Sequence, residues 1–161
     1  MINNIHICKN SDIKFDIKKK ILPIIYDKKT LGNRLKFIRV KNKTSMDELC
    51  NNVPISTTTL ALLEKDGVSD LYKYFYSKKI CDYFSEDYIQ IGELYSLPEK
   101  NYIDKLYKIR AYLGVRSWKG VATELNYSSA FIIDLLSREY IANKNNIERI
   151  DNLLKKLKGG N

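Results

Sequence analysis

The sequence predicts an all-α protein, with two tandem helix-turn-helix units joined by a helical connector. Three observations carry that expectation. Apolar residues recur at the three- and four-residue spacing of a helix. Small polar residues suited to N-caps stand immediately before short apolar runs. The order of caps and apolar positions found in the first half of the chain then returns in the second.

The first unit opens with Leu31, Leu35 and Ile38, an i, i+4, i+7 stripe flanked by Arg34, Lys36, Arg39 and Lys41. Ser45 follows as a cap, and Glu48 three residues later completes a capping-box pattern. Leu49 and Val53 are the inward positions of that second helix, which Pro54 stops. Ser56 opens a third helix with Leu60 and Leu63 on one side, and Asp66-Gly67 ends it. Helices this short bury too little alone, so the three are expected to pack on one another.

The layout recurs in Ile103, Leu106, Ile109, Arg110 and Leu113, then Ser117 with Val121, Ala122 and Leu125, and then Ser128 with Ile132 and Leu135. Asn126, in the turn, tolerates a left-handed backbone. Ser45 and Ser117, Leu49 and Val121, Ser56 and Ser128, and Leu60 and Ile132 are each 72 residues apart. A gapless match across two helices and their turn points to internal duplication.

The stretch from Thr30 to Asp66 resembles the Xre/Cro-type helix-turn-helix family of phage and bacterial repressors. The slots that carry the resemblance hold Ser45, Leu49-Cys50, Val53-Pro54-Ile55-Ser56, Leu60 and Leu63-Glu64. Cys50, and Ala122 in the repeat, supply the small residue such helices need where they cross. Two positions depart from the pattern, Pro54 for the usual glycine of the turn and Met46 for the usual glutamine after the cap. The resemblance also implies a pair between Arg39, near the end of the first helix, and Glu64 of the third. The second unit keeps Arg110 but has Leu136 in place of the glutamate.

That resemblance implies double-stranded DNA as the partner, with the first residues of the third helix at base edges and nearby cations on phosphates. In the first unit the DNA-binding candidates are Ser56, Thr57, Thr58 and Ala61, with Lys36, Lys41 and Lys43 as phosphate contacts. Threonine hydroxyls bond either base edge, and threonine methyls or Ala61 meet thymine methyls. No Arg, Gln or Asn stands in that row, so modest sequence preference is expected. The second unit offers Ser129, Ala130, Ile133 and Asp134 in the equivalent row, where Ile133 and Asp134 suit a DNA groove poorly. Its Ser129, Lys119 and Arg138 are further candidate contacts, beside Arg116 and Lys144. Trp118 either packs beneath the helices or lies against a sugar-phosphate edge.

Four segments result: an N-terminal basic arm or extra helix over 1–29, the first unit over 30–69, a tyrosine-rich helical connector over 70–100, and the second, diverged unit over 101–161. The tyrosines of the connector either form a surface for a homodimer or protein partner or pack the two units together. The net charge of +9 is divided unevenly: +4 over 1–29, +2 over 30–66, −2 over 67–100 and +5 over 101–161. The basic surplus thus sits at both ends, which suits two anion-seeking modules.

Other classes of function find little support. Cys8, Cys50 and Cys81 are scattered and odd in number, which suits reduced thiols in the cytoplasm rather than a disulfide or zinc framework. No signal-peptide core is evident, and no apolar stretch is long enough to span a membrane. His6 is the only histidine, and neither a glycine-rich phosphate loop nor a metalloprotease motif is present. No catalytic residue, metal ligand or cofactor is expected. Two functions stay open: a DNA-binding transcriptional regulator, a repressor of phage, plasmid or mobile-element type, and a protein-binding adaptor that keeps the scaffold without base reading.

Overall fold

A computed structural model describes residues 29–137 and 141–159; the expected N-terminal arm or helix over 1–29 falls almost entirely outside them. Among the described residues all regular structure is helical. The order is α1 (Leu31–Lys41), α2 (Met46–Asn52), α3 (Thr57–Leu63), α4 (Asp70–Phe84), α5 (Tyr88–Gly92), a 3-10 turn (Leu94–Ser96), α6 (Tyr102–Leu113), α7 (Trp118–Leu125), α8 (Ser129–Ser137) and α9 (Lys144–Leu157).

Local chemistry accounts for where these helices start. Thr30 caps α1 by accepting from the Asn33 N–H. Ser45 and Glu48 form a complete capping box at α2. Ser56 caps α3 through the Thr59 N–H, and Ser128 accepts from the Phe131 N–H at the start of α8. Each such bond satisfies one of the amide donors that a helix end leaves unpaired. Ser117 holds the N-cap position of α7, but its hydroxyl makes no cap bond, so there the expected cap is positional only.

The helix ends depend on left-handed residues. Asp66 takes that conformation after α3 at φ 56°, and Gly67 accompanies it by donating its N–H to the Leu62 carbonyl. Asn126 does the same after α7, and Gly114 after α6. The match at an interval of 72 residues extends to the helix starts, since Met46 and Trp118, and Thr57 and Ser129, open corresponding helices. The leading helices begin one residue out of step, at Leu31 and Tyr102, so α6 is one residue longer than α1.

A single apolar core runs through the described chain. Leu35, Leu49, Leu60 and Leu63 from the first three helices meet Ile80, Cys81 and Leu94 from the connector, and Leu106, Ile109, Val121, Ile132, Leu135, Ile150 and Leu154 beyond it. The connector is therefore part of the core. α1 packs on α4 and α5, and α4 reaches α6. Arg34 fixes the first of these contacts by donating from Nε to the Ile91 carbonyl at 2.7 Å and pairing with Glu93 at 3.1 Å. The Tyr88 hydroxyl fixes α5 to α6 by donating to the Ala111 carbonyl at 2.6 Å.

The amphipathic helix α9 closes the far side, packing on α6 and α7 through Ile150 and Leu154. Its buried Asn146 accepts from the Tyr127 hydroxyl at 2.8 Å. No helix of the described residues is long and apolar enough to cross a membrane.

Candidate nucleic-acid interface

The α2–turn–α3 segment is held rigid from beneath. Arg39 and Glu64 form a two-pronged ion pair, Nε to Oε1 at 2.6 Å and Nη2 to Oε2 at 2.8 Å, with both side chains nearly excluded from solvent. Arg39 also donates from Nη1 to the Thr44 carbonyl at 3.1 Å, so it ties α1 to the end of α3 and to the α1–α2 turn at once. A planar guanidinium matched to a carboxylate in this way fixes angle as well as distance. Where α1 begins, Gly32 makes the second lock. Its N–H donates to Asp66 Oδ1, and a Cβ at this position would stand 2.4 Å from the Leu63 carbonyl oxygen. Only glycine permits that approach.

In the turn, Val53 and Ile55 are buried while Pro54 is exposed. Pro54 fits because the chain is already extended at Val53 and the Ile55 N–H returns to the Val53 carbonyl. Met46, in the slot expected to hold glutamine, packs against the core and offers no polar group.

With its underside fixed, α3 presents Ser56, Thr57 and Thr58 to solvent, and Ala61 lies partly covered on the next turn. The Ser56 hydroxyl is occupied by the helix itself, bonded to the Thr59 N–H and 2.8 Å from the Thr59 hydroxyl. The Thr57 and Thr58 hydroxyls have no partner among the described residues. Of the candidate cations, Lys36 on α1 and Lys43 in the α1–α2 turn pair with no carboxylate there, whereas Lys41 lies 3.6 Å from Glu86. An exposed pair at that distance is weak enough for a phosphate to displace.

The second unit arranges the same helices around different chemistry. Among the described residues Arg110 forms no ion pair. Its guanidinium lies 4.4 Å from the Trp118 ring centroid and 5.1 Å from that of Tyr107. Burial, first of all, lowers its pKa. Trp118 therefore sits half-buried against Tyr107 and Arg110 and packs on the apolar core, the first of the two places expected for it. Leu136 packs on the core in the slot of Glu64. On α8, Ser129 is half-buried, while Ile133 is 53% exposed and stands next to an exposed Asp134. Lys119 is exposed in the first turn of α7, and Arg138 lies outside the described residues.

Some features escaped sequence reasoning. Lys108 is almost wholly buried, with Nζ donating to the Tyr95 and Leu97 carbonyls at 2.8 Å each and pairing with Glu99 at 2.6 Å. Its position between the core residues Leu106 and Ile109 was the available signal. The connector tyrosines divide between roles, with Tyr88 buried and Tyr95 65% exposed. Among the described cysteines, burial above all pushes the Cys81 thiol up to about 12, and it also raises that of the more accessible Cys50. No group of three or more potential metal ligands occurs among the described residues.

No family model matches this chain, and neither a curated protein nor a solved structure does.

Proposed function

We propose that the protein is a DNA-binding transcriptional regulator whose first unit contacts duplex DNA with the N-terminal edge of α3. The observation that carries this reading is the α2–turn–α3 segment. It is locked by the buried Arg39–Glu64 pair and leaves Thr57 and Thr58 exposed, their hydroxyls without a partner among the described residues. A helix edge that is rigid underneath and polar on top suits entry into a major groove, where its first residues meet base edges. Half-buried Lys36, exposed Lys41 and Lys43 and a net charge of +9 suit phosphates. The resemblance to Xre/Cro-type repressors agrees with a regulator of phage, plasmid or mobile-element type acting in the cytoplasm.

A second reading has its own observation. Ile133 and Asp134, exposed side by side on α8, suit a protein partner better than a groove. The adaptor function would then use the second unit.

Titration of the full chain with random-sequence duplex across a salt series tests the proposal. DNA binding requires log K to fall linearly with log salt, at about 0.9 per phosphate neutralised on duplex DNA. Absence of binding even at low salt would leave only the adaptor.

A further inference from the structure

Between the two units lies a groove of about 500 Å³. Its walls come from three parts of the chain: Thr59 on α3, Val68 and Ser69 with Tyr72 and Tyr76 at the start of α4, and Arg116 in the α6–α7 turn. Building on the DNA-binding reading, we propose that this groove seats a backbone phosphate of the duplex that α3 contacts, with Arg116 as its cation. The second unit would then serve as a backbone clamp rather than a second reader of sequence.

Arg116 is exposed and pairs with no carboxylate among the described residues. Its guanidinium is nevertheless placed, 5.1 Å from the centroid of the Tyr72 ring, which in turn stacks on Tyr76 at 6.1 Å and 14°. Stacking on a ring restrains the guanidinium plane while leaving its edge donors for an oxyanion. The groove adds further hydroxyls. Ser69 holds the N-cap position of α4 without making a side-chain cap bond, and the Tyr72 and Tyr76 hydroxyls have no partner among the described residues. No carboxylate lines this groove; Asp70, next to Ser69, lines a separate cleft with Tyr74 and Arg110.

The site thus combines one oriented cation and several hydroxyls with an apolar floor of Val68 and tyrosine rings. That mixture suits a phosphodiester, whose charge is flanked by sugar. The groove is bounded at one end by the helix that carries Thr57 and Thr58 and at the other by the residue two before α7, which places it beside the proposed reading edge. It also explains how a second unit with Ile133 and Asp134 in its row would still contribute to affinity.

The test uses the full-length chain and a random-sequence duplex in a fluorescence-anisotropy salt series. Arg116→Ala should lower the log–log salt slope by about 0.9, the loss of one phosphate contact. Arg116→Lys, which keeps the charge, should recover most of that slope. Lys155→Ala removes the same charge from an exposed position on α9, outside the groove, and should leave the slope at the wild-type value. If Arg116→Ala left the slope unchanged while Lys43→Ala lowered it, DNA binding would stand and the groove assignment would fall. Equal losses from Arg116→Ala and Lys155→Ala would mean that total charge is being read, and would also overturn the groove. Wild-type protein that failed to bind the duplex at any salt concentration would overturn the DNA reading and the groove together.

Discussion

Arg39 and Glu64 illustrate what one buried residue pair does for a short helix. α3 has seven residues, too few to persist without tertiary support, and its C-cap residue, Glu64, is held to α1 by two charge-assisted bonds. Replacing Glu64 by alanine strands a buried cation, so Glu64→Ala should cost about 3–5 kcal/mol in urea unfolding. Glu64→Gln keeps an acceptor and should cost less. An unchanged midpoint in Glu64→Ala would mean that the pair contributes nothing. At this scale the sequence is readable where residues keep register with a known pattern. Arg39 and Glu64 fall into slots of the pattern the first unit resembles, and the structure brings them together. Arg110 lies 71 residues after Arg39, one short of the repeat interval, and its environment differs because Trp118 and Tyr107 approach it from positions that hold Met46 and Leu35 in the first unit. Met46 stands where Trp118 does, which already signalled a change, but not the ring-to-cation geometry it would produce.

Elements are joined here by polar bonds as much as by apolar packing. Glu99 accepts from Lys108 at 2.6 Å and from Lys158 at 2.5 Å, which links the segment after the 3-10 turn to α6 and to the end of α9. Hydrogen bonding to Lys108, then to Lys158, holds the Glu99 carboxyl below its ordinary pKa. A carboxyl lowered on folding stabilises the protein above its unfolded pKa, and that contribution is lost as pH falls through the lowered folded value. Glu99→Gln should therefore be less stable than wild type near neutrality, and the gap should close as pH drops below the ordinary carboxylate value of about 4.3. A gap that persisted undiminished in acid would assign the effect to packing instead. The helices themselves were mostly legible from caps and spacing. α9 has no counterpart in the first unit to mark it, although Ile150, Leu153, Leu154 and Leu157 carry a helical spacing, and the burial of Lys108 depends on carbonyls supplied from elsewhere in the chain. The proposed reading helix makes its own prediction. Thr57→Ala combined with Thr58→Ala should weaken specific DNA binding by roughly 1–3 kcal/mol, the scale of lost base contacts. Ser129→Ala with Asp134→Ala should leave the footprint intact. The opposite pattern in footprinting would place the reading edge on α8.

At the scale of the whole molecule, the continuous core implies cooperative behaviour. Ile80 and Cys81 of the connector share their packing with residues on both sides, and α1 and α6 both lie against α4. Fluorescence of the single tryptophan, Trp118, reports on the second half, while far-UV circular dichroism reports on every helix. The two urea transitions should coincide, as they do when one core melts as a unit. A tryptophan transition preceding loss of helicity would reveal halves that unfold separately. Periodicity within a segment says which face is inward but not which distant face covers it, and for that reason the connector's tyrosines leave a partner surface and packing between the units equally open until the shared core decides for packing at Tyr88. The Arg34 contact to Ile91 carries a practical consequence for anyone wishing to borrow the first unit as a portable binding cassette. A fragment ending at Gly67 would keep α1 to α3 yet leave Arg34 without the carbonyl and carboxylate that hold it, and would bare the side of α1 that faces α4 and α5. The smallest transplantable piece therefore runs at least to Glu93, and even there it would end on the exposed face that Tyr88 presents to α6.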